Sequence, residues 1–403
     1  MQFFILSEKI ILSLKIKNIN MSKPVINSKL PHVGTTIFAI MSKMATDYNA
    51  INLSQGFPNF PASSELISIV EKYMRKGFNQ YAPMPGVKEL REAISDKAEK
   101  LYGISYHPET EVTVTSGGTE ALFSAISAVV EKGDEVIVFE PAYDSYVPAI
   151  ELNGGIPIYI SLCPPHYKID WEIVKQKISS KTKLIIVNTP HNPTGAVLSA
   201  EDLKQLANMV RNTNIFLIAD EVYEHIIFDD LKHHSFMTHP VLQERSFIIG
   251  SFGKTFHVTG WKIGFCVAPV ALTTEFRKIH QFLTFASITP VQYALAEFMK
   301  NPDNYLEVPA FYEQKRNKFL DAVKNSKFTF QPSSGSYFQN LSYKNISNEN
   351  DFDLAVRLTK EIGVASIPVS VFYHDKTDHK ILRFCFAKDD ATLELAGEKL
   401  CGL

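Results

Sequence analysis

Two uninterrupted apolar runs set the terms for this chain: Leu184-Ile185-Ile186-Val187 and Phe216-Leu217-Ile218-Ala219. A third, Phe247-Ile248-Ile249-Gly250, is closed by a glycine. Each is of strand length, and none alternates with polar residues. A strand that is apolar on both sides is buried on both faces, which is the habit of parallel sheets covered by helices. Helical spacing over 200–212 lies between the first two runs, so the pattern predicts an α/β domain with a mostly parallel sheet. Each run ends in polar or small residues. Asn188 to Gly195 follows the first, Asp220-Glu221-Val222-Tyr223 the second and Ser251-Phe252-Gly253-Lys254 the third. Ligands of open α/β sheets bind outside the carboxyl ends of the strands. These are therefore the places to look for chemistry.

Other segments converge on the same edge. A strand over 111–115 leads into Ser116-Gly117-Gly118-Thr119, which opens a helix over 120–130. Free amides at a helix N-terminus together with a glycine turn can cradle a phosphate. The turn carries neither the GxGxxG nor the GxxxxGK spacing, so neither a dinucleotide nor a nucleoside triphosphate is indicated. Tyr143 stands just past a strand over 135–139 and reads as a surface aromatic or as a ring stacked on a flat heterocycle. Gly56 sits in a Gly/Pro turn with Phe57 and Phe60. This is a plain turn, or a close backbone approach to a ligand between apolar walls. Lys254 reads as a solvated loop lysine or as a Schiff-base lysine, an amine that bonds an aldehyde cofactor. Ser251 and Lys262 beside it offer a hydroxyl and a second cation. Nearby positive charge also lowers an amine's pKa. Each bland reading is ordinary alone; their coincidence at one sheet edge weighs against all of them together.

Beyond 279 the pattern changes. A helical region to 300, bent near Pro290, precedes a helix over 311–324, a strand over 337–339, a helix over 352–362 and a strand over 381–386. The last carries Arg383 among apolar neighbours, either as a salt-bridged arginine or as a clamp for a carboxylate. This reads as a smaller α+β unit, completed by an N-terminal arm. The expected organisation is 1–20 a leader or over-extended start, 21–55 the arm and part of the small domain, 56–289 the large domain, and 290–403 the small C-terminal domain.

The composition excludes several classes. A net charge of −2 and a pI near 6.6 leave no basic surplus for nucleic acid. No apolar run approaches the roughly 20 residues of a membrane span. The four cysteines form no CxxC pair, which argues against a zinc site or a disulfide framework and fits a reducing compartment such as the cytoplasm.

Taken together, Asn192-Pro193-Thr194-Gly195, Asp220-x-x-Tyr223 and Ser251-x-x-Lys254 with a basic residue at Lys262 resemble the class I aminotransferases, the fold-type I enzymes that use pyridoxal 5′-phosphate. Gln55-Gly56-Phe57-Pro58, Gly253-Lys254-Thr255-Phe256 and Thr259-Gly260-Trp261-Lys262 are similar to the methionine and kynurenine/glutamine aminotransferase branch. The resemblance implies that Lys254 bonds the cofactor aldehyde and moves the substrate proton. It implies that Asp220 pairs with the pyridine nitrogen, that Asn192 and Tyr223 hydrogen-bond the ring's phenolic oxygen, and that Tyr143 stacks on the ring. Gly117, Gly118, Thr119, Ser251 and Lys262 would hold the phosphate, with Tyr81 reaching it from the second subunit of a homodimer with shared active sites. Many family members carry arginine where this chain has Lys262, which loses a bidentate contact; the branch commonly has lysine there. Arg383 would clamp the α-carboxylate, helped by Asn192 and Gly56.

The implied reaction is a ping-pong transamination between an L-amino acid and a 2-oxo acid. Phe57, Phe60, Tyr337 and Phe285 suggest an aromatic-lined pocket that favours methionine, aromatic amino acids or kynurenine over aspartate. Alternatives on the same fold are a β-lyase acting on sulfur amino acids, ring closure to a cyclopropane, and a non-catalytic regulator that senses the cofactor. No basic helix-turn-helix precedes Leu30 to favour the regulator.

Overall fold

The computed structural model describes residues 24–403. The chain divides into Met1–His32 and Val33–Leu403, and residues 24–32 of the first part carry no helix or strand. The leader expected over 1–20 lies outside the described residues.

Val33–Leu403 is built on a seven-stranded sheet. Its strands are β2 (Val112–Thr115), β3 (Glu135–Glu140), β4 (Ile156–Ser161), β5 (Thr182–Asn188), β6 (Phe216–Asp220), β7 (Ser246–Ser251) and β8 (Gly264–Val267); β1 (Ile51–Asn52) lies elsewhere. The spatial order is β2-β8-β7-β6-β5-β3-β4. β4, β3, β5, β6 and β7 pair in parallel, and β8 runs antiparallel to both β7 and β2. The result is a mostly parallel sheet flanked by helices, the architecture expected from the sequence.

The unbroken apolarity of the strands has the expected cause. Side chains alternate between faces with a period of two. Val136, Val138, Leu184, Ile186, Phe247 and Ile249 pack on one side with the helix Gly118–Val129. Ile137, Phe139, Ile185, Val187 and Ile248 face the other side, in a cluster with Leu66 of the helix Ser64–Arg75 and Leu90 of the helix Lys88–Tyr102. Both faces are dry, so neither tolerates a polar alternation. Ser63 caps the first of these helices by accepting from the Leu66 amide, as its position before an amphipathic run predicts.

A second core cluster gathers Met41 of the helix Ile37–Asp47 and Leu53 around a three-stranded sheet. The strands are β9 (Phe338–Ser342), β11 (Ile367–Pro368) and β12 (Ile381–Cys385), in the order β11-β12-β9 and all antiparallel. β1 pairs in parallel with β10 (Val364–Ala365).

Two features differ from the sequence reading. The helical region expected from 279 to 300 is two helices, Val270–Leu283 and Thr289–Phe298. Between them Phe285 takes φ +69°, a left-handed conformation that ends a helix. Pro290 falls in the first turn of the second helix, where its missing N–H is not needed. β8 was also not anticipated: it is four residues long and begins directly after the motif at Lys262.

Candidate active site

The carboxyl ends of the parallel strands, together with the beginning of antiparallel β8, surround a cavity of about 250 Å³. The reversed direction of β8 is what completes it. Gly264, its first residue, lies opposite Ser251 of β7 and opposite Thr115 of β2. Lys262, just before Gly264, is thereby delivered to the glycine turn after β2. Gly117 has φ +82°, and a Cβ built on it would lie 3.5 Å from Lys262 Nζ. A backbone turn that only glycine readily adopts is therefore backed by an ammonium. Gly118, Thr119 and Ser251 line the same part of the cavity. The result is a concave, cationic cradle at the N-terminus of the helix Gly118–Val129.

Asp220 closes β6 and is buried. Tyr146 Oη donates to its Oδ2 at 2.5 Å, and the Val222 amide donates to Oδ1 at 3.4 Å. Burial raises this carboxyl to about 6, and the Tyr146 bond and the Lys254 charge oppose the rise. Asn188, which sits opposite Asp220 in the sheet register, donates from Nδ2 to the Asp220 carbonyl at 2.8 Å. Its Oδ1 accepts the Asn192 amide at 2.7 Å. One asparagine thus ties the loop after β5 to the end of β6.

Lys254 lies in a short helical turn after β7, and burial lowers its amine to about 8, with Lys262 and Arg383 pushing the same way. Its Nζ donates to Tyr337 Oη at 2.8 Å and stands 5.5 Å from the Tyr223 ring centre. Tyr223 is itself buried, which pushes its phenol well up. Tyr143 shares a hydrogen bond with Thr119 at 3.3 Å and meets the Tyr146 ring edge-on at 5.6 Å.

Arg383 enters from β12. Its Nη1 donates to Asn192 Oδ1 and its Nη2 to the Ser54 carbonyl, each at 2.9 Å. Its guanidinium lies 3.9 Å from the Phe338 ring centre, with Phe38 and Phe372 at 5.3 and 5.4 Å. Burial lowers it to about 10, so it is charged at neutral pH. A guanidinium carries five N–H donors; two are used in these bonds, and the buried Nε has no partner. A buried cation with spare donors is built to meet an anion.

Twelve of the sequence-selected residues line this one cavity: Gly56, Gly117, Gly118, Thr119, Tyr143, Asn192, Asp220, Tyr223, Ser251, Lys254, Lys262 and Arg383. Four lie elsewhere. Tyr81 is 86% exposed, with its ring edge-on to Phe285 at 5.6 Å. Phe57 is partly exposed beneath Lys388, and Phe60 packs on Phe311 and His257. Tyr337 lies fully buried under the Lys254 amine.

Sequence reasoning missed Tyr146, Asn188, Phe38, Gln55 and Phe338. Asn188 had a legible signal, since it ends an apolar strand just as Asp220 does. Phe38 had none, because it sits on a remote amphipathic helix whose apolar residues all look alike.

Comparison with known proteins accords with this geometry. The family model described as aminotransferase class I and II matches residues 48–400. The methionine aminotransferase of Escherichia coli is 48% identical over 93% of this chain and 97% of its own. The kynurenine–oxoglutarate transaminase of Dictyostelium discoideum is 37% identical over 92% and 94%. The solved structure of YbdL from Escherichia coli, in which a methionine aminotransferase function was identified, superposes with a TM-score of 0.93 at 47% identity, covering 94% of this chain and all of that one.

Proposed function

This chain belongs to the class I and II aminotransferases, and from that membership we propose that it moves the amino group of methionine, an aromatic amino acid or kynurenine to a 2-oxo acid, with pyridoxal 5′-phosphate as its cofactor. The family uses this cofactor, and three features of the cavity fit it. The glycine turn at Gly117 backed by Lys262 suits a phosphate, the buried amine of Lys254 suits an aldehyde, and the buried Asp220 suits a protonated ring nitrogen.

Gly117, Gly118, Thr119, Ser251 and Lys262 would hold the phosphate. Asp220 would pair with the pyridine nitrogen, Asn192 and Tyr223 would reach the phenolic oxygen, and Tyr143 would lie against the ring. The bound cofactor supplies an electron sink that makes the substrate Cα–H acidic. Arg383 binds the α-carboxylate of the amino acid and so fixes which Cα bond faces Lys254. Lys254, lowered to about 8, is neutral in about a tenth of molecules at pH 7, far more than an ordinary lysine, and serves as the base that takes and returns the Cα proton. Tyr146 holds Asp220 in place. The walls that Phe38 and Phe338 add to the cavity, together with the likeness to the methionine aminotransferase, support an apolar donor.

We read the enzyme as a homodimer in which Tyr81 of a second copy completes the phosphate site; the exposure of Tyr81 beside Phe285 and of Phe282 supports this. We also read 56–289 as the large domain and 290–403 as the small one, to which the arm expected over 21–55 contributes β1, supported by the pairing of β1 with β10. Among the described residues no helix is long and apolar enough to cross a membrane. The four cysteines are unpaired, which supports a cytoplasmic enzyme.

The observation that carries the reading is the meeting of Lys254, Asp220 and Arg383 at one cavity. Its test is the absorption spectrum of the purified protein with pyridoxal phosphate, before and after L-methionine. Bleaching of the visible band with release of the 2-oxo acid is expected, and Lys254→Ala should abolish it. Release of ammonia and thiol instead would make the protein a β-lyase, against which the transaminase relatives already speak.

A further inference from the structure

Tyr337, immediately before β9, is completely buried. Its hydroxyl joins two segments from opposite halves of the chain. It donates to the Gly56 carbonyl oxygen at 2.6 Å and accepts from Lys254 Nζ at 2.8 Å. A phenol has one hydrogen to give, and a carbonyl has none. The Tyr337 proton is therefore directed away from Lys254, to the Gly56 carbonyl, and toward Lys254 the oxygen acts as an acceptor. Burial pushes this phenol far up, so the proton stays on it. The ring has no freedom to leave: it is edge-on to Tyr223 at 5.1 Å and packed against Phe338 at 5.0 Å and Tyr312 at 5.8 Å. Gly56 is equally fixed, since a Cβ built there would lie 2.5 Å from Phe338 Cζ.

We propose that Tyr337, braced by the Gly56 carbonyl, is the positioning residue for the free Lys254 amine. The inference rests on the reading of Lys254 as the base that handles the substrate proton. A neutral amine has two N–H bonds and one lone pair. With one N–H directed at Tyr337, the lone pair is kept off the phenol and takes one of the two remaining tetrahedral positions, beside the cavity that Lys254 shares with Asp220 and Arg383. A lysine without that anchor spreads its lone pair over several rotamers, and only a fraction of them face Cα. Tyr337 touches neither substrate nor cofactor in this arrangement; it acts through Lys254.

The test is Tyr337→Phe, which keeps the packed ring and removes only the hydroxyl. Single-turnover half-reactions are run on the holoenzyme with whichever of L-methionine, L-phenylalanine or L-kynurenine turns over fastest, carrying hydrogen or deuterium at Cα. The expected result is a rate lowered by about 10- to 100-fold, the range a misplaced reacting group produces. KM should stay within about twofold, with an increased deuterium isotope effect and an unmoved cofactor band. In crystals of the apoprotein, Lys254 Nζ should occupy one position in the wild type and several in the variant. An unchanged rate and isotope effect, while Lys254→Ala is inactive, would overturn the inference and leave the reading of Lys254 intact. So would a loss of cofactor binding, or a raised KM at constant rate, because either marks a merely structural role. Full half-reaction by Lys254→Ala would instead remove the reading on which the inference rests.

Discussion

Replacing Lys97 by methionine isolates a buried ion pair that anchors the turn after Asp220. Lys97, on the helix Lys88–Tyr102, pairs with Glu224, and both side chains are 5% exposed. Tyr102 Oη donates to the other Glu224 oxygen at 3.1 Å, and the Lys97 ammonium lies 4.9 Å from the Phe265 ring centre. Burial by itself would raise the Glu224 carboxyl; Lys97, through its charge and its hydrogen bond, overrides it with help from His225 and His233 and brings the group from 4.5 down to about 2. At about 1.4 kcal/mol for each pH unit, that depression is worth roughly 3 kcal/mol. Breaking a buried pair from one side costs about 3–5 kcal/mol by direct experience with other proteins. Lys97→Met should therefore lower the unfolding free energy by about 3 kcal/mol at pH 7, read from urea denaturation followed by circular dichroism. The pH dependence fixes the cause. In the wild type a depressed carboxyl stabilises fully above 4.5 and loses that contribution as pH falls toward 2. In the variant the Lys97 charge is gone and only His225 and His233 oppose burial, so Glu224 titrates higher than in the wild type and its penalty is relieved as pH falls. The gap between the two proteins should thus be widest at pH 7 and narrow steadily on acidification. Adding Glu224→Gln to the variant should recover most of the loss, because an amide still accepts from Tyr102 and carries no charge. A gap below about 1 kcal/mol at pH 7, or one that stays constant down to pH 4, would refute the reasoning.

Two further outcomes follow from single contacts. Gly250→Ala would set a Cβ 2.1 Å from Phe265 Cζ inside the sheet, so the urea midpoint should fall by an amount equivalent to about 1–3 kcal/mol; an unchanged midpoint would show that the ring yields freely. Arg383→Lys exchanges a fork held by Asn192 and Ser54 for a point charge, so KM for the amino acid should rise about 10- to 100-fold while the cofactor's absorption band stays in place; a KM within twofold of wild type would remove Arg383 from carboxylate binding.

Much of the site was legible because chemistry and fold share one signal. An apolar strand that stops at Asp220 or just before Lys254 marks both the end of the sheet layer and the mouth of the cavity. What was illegible depends on distance or on direction. Phe38 reaches the cavity only because its helix packs beside the C-terminal sheet. Tyr146 lies three residues beyond Tyr143, but its hydroxyl finds Asp220 through the spacing of strands, which periodicity does not report. The break at 284–288 carries no glycine or proline before Thr289, so the helical spacing reads straight through it. For Tyr337, the aromatic character was plain, but whether an aromatic walls a pocket or lies beneath it is decided by packing in three dimensions.

The single reversed strand also bears on how the molecule is made. β2 has one partner in the large sheet, β8, and the chain must run from Thr115 to Gly264 before that partner exists. During synthesis β2 therefore leaves the ribosome as an unpaired edge and waits while β3, β4, β5, β6 and β7 are delivered. Contacts of such long sequence separation close slowly, since the entropy of the intervening loop must be overcome before pairing rewards it. Val112 and Val114 lack their sheet partner in that interval, a state that favours pairing with other chains. Insertion of β8 between β2 and β7 gives β2 its partner, and the same event brings Lys262 to Gly117.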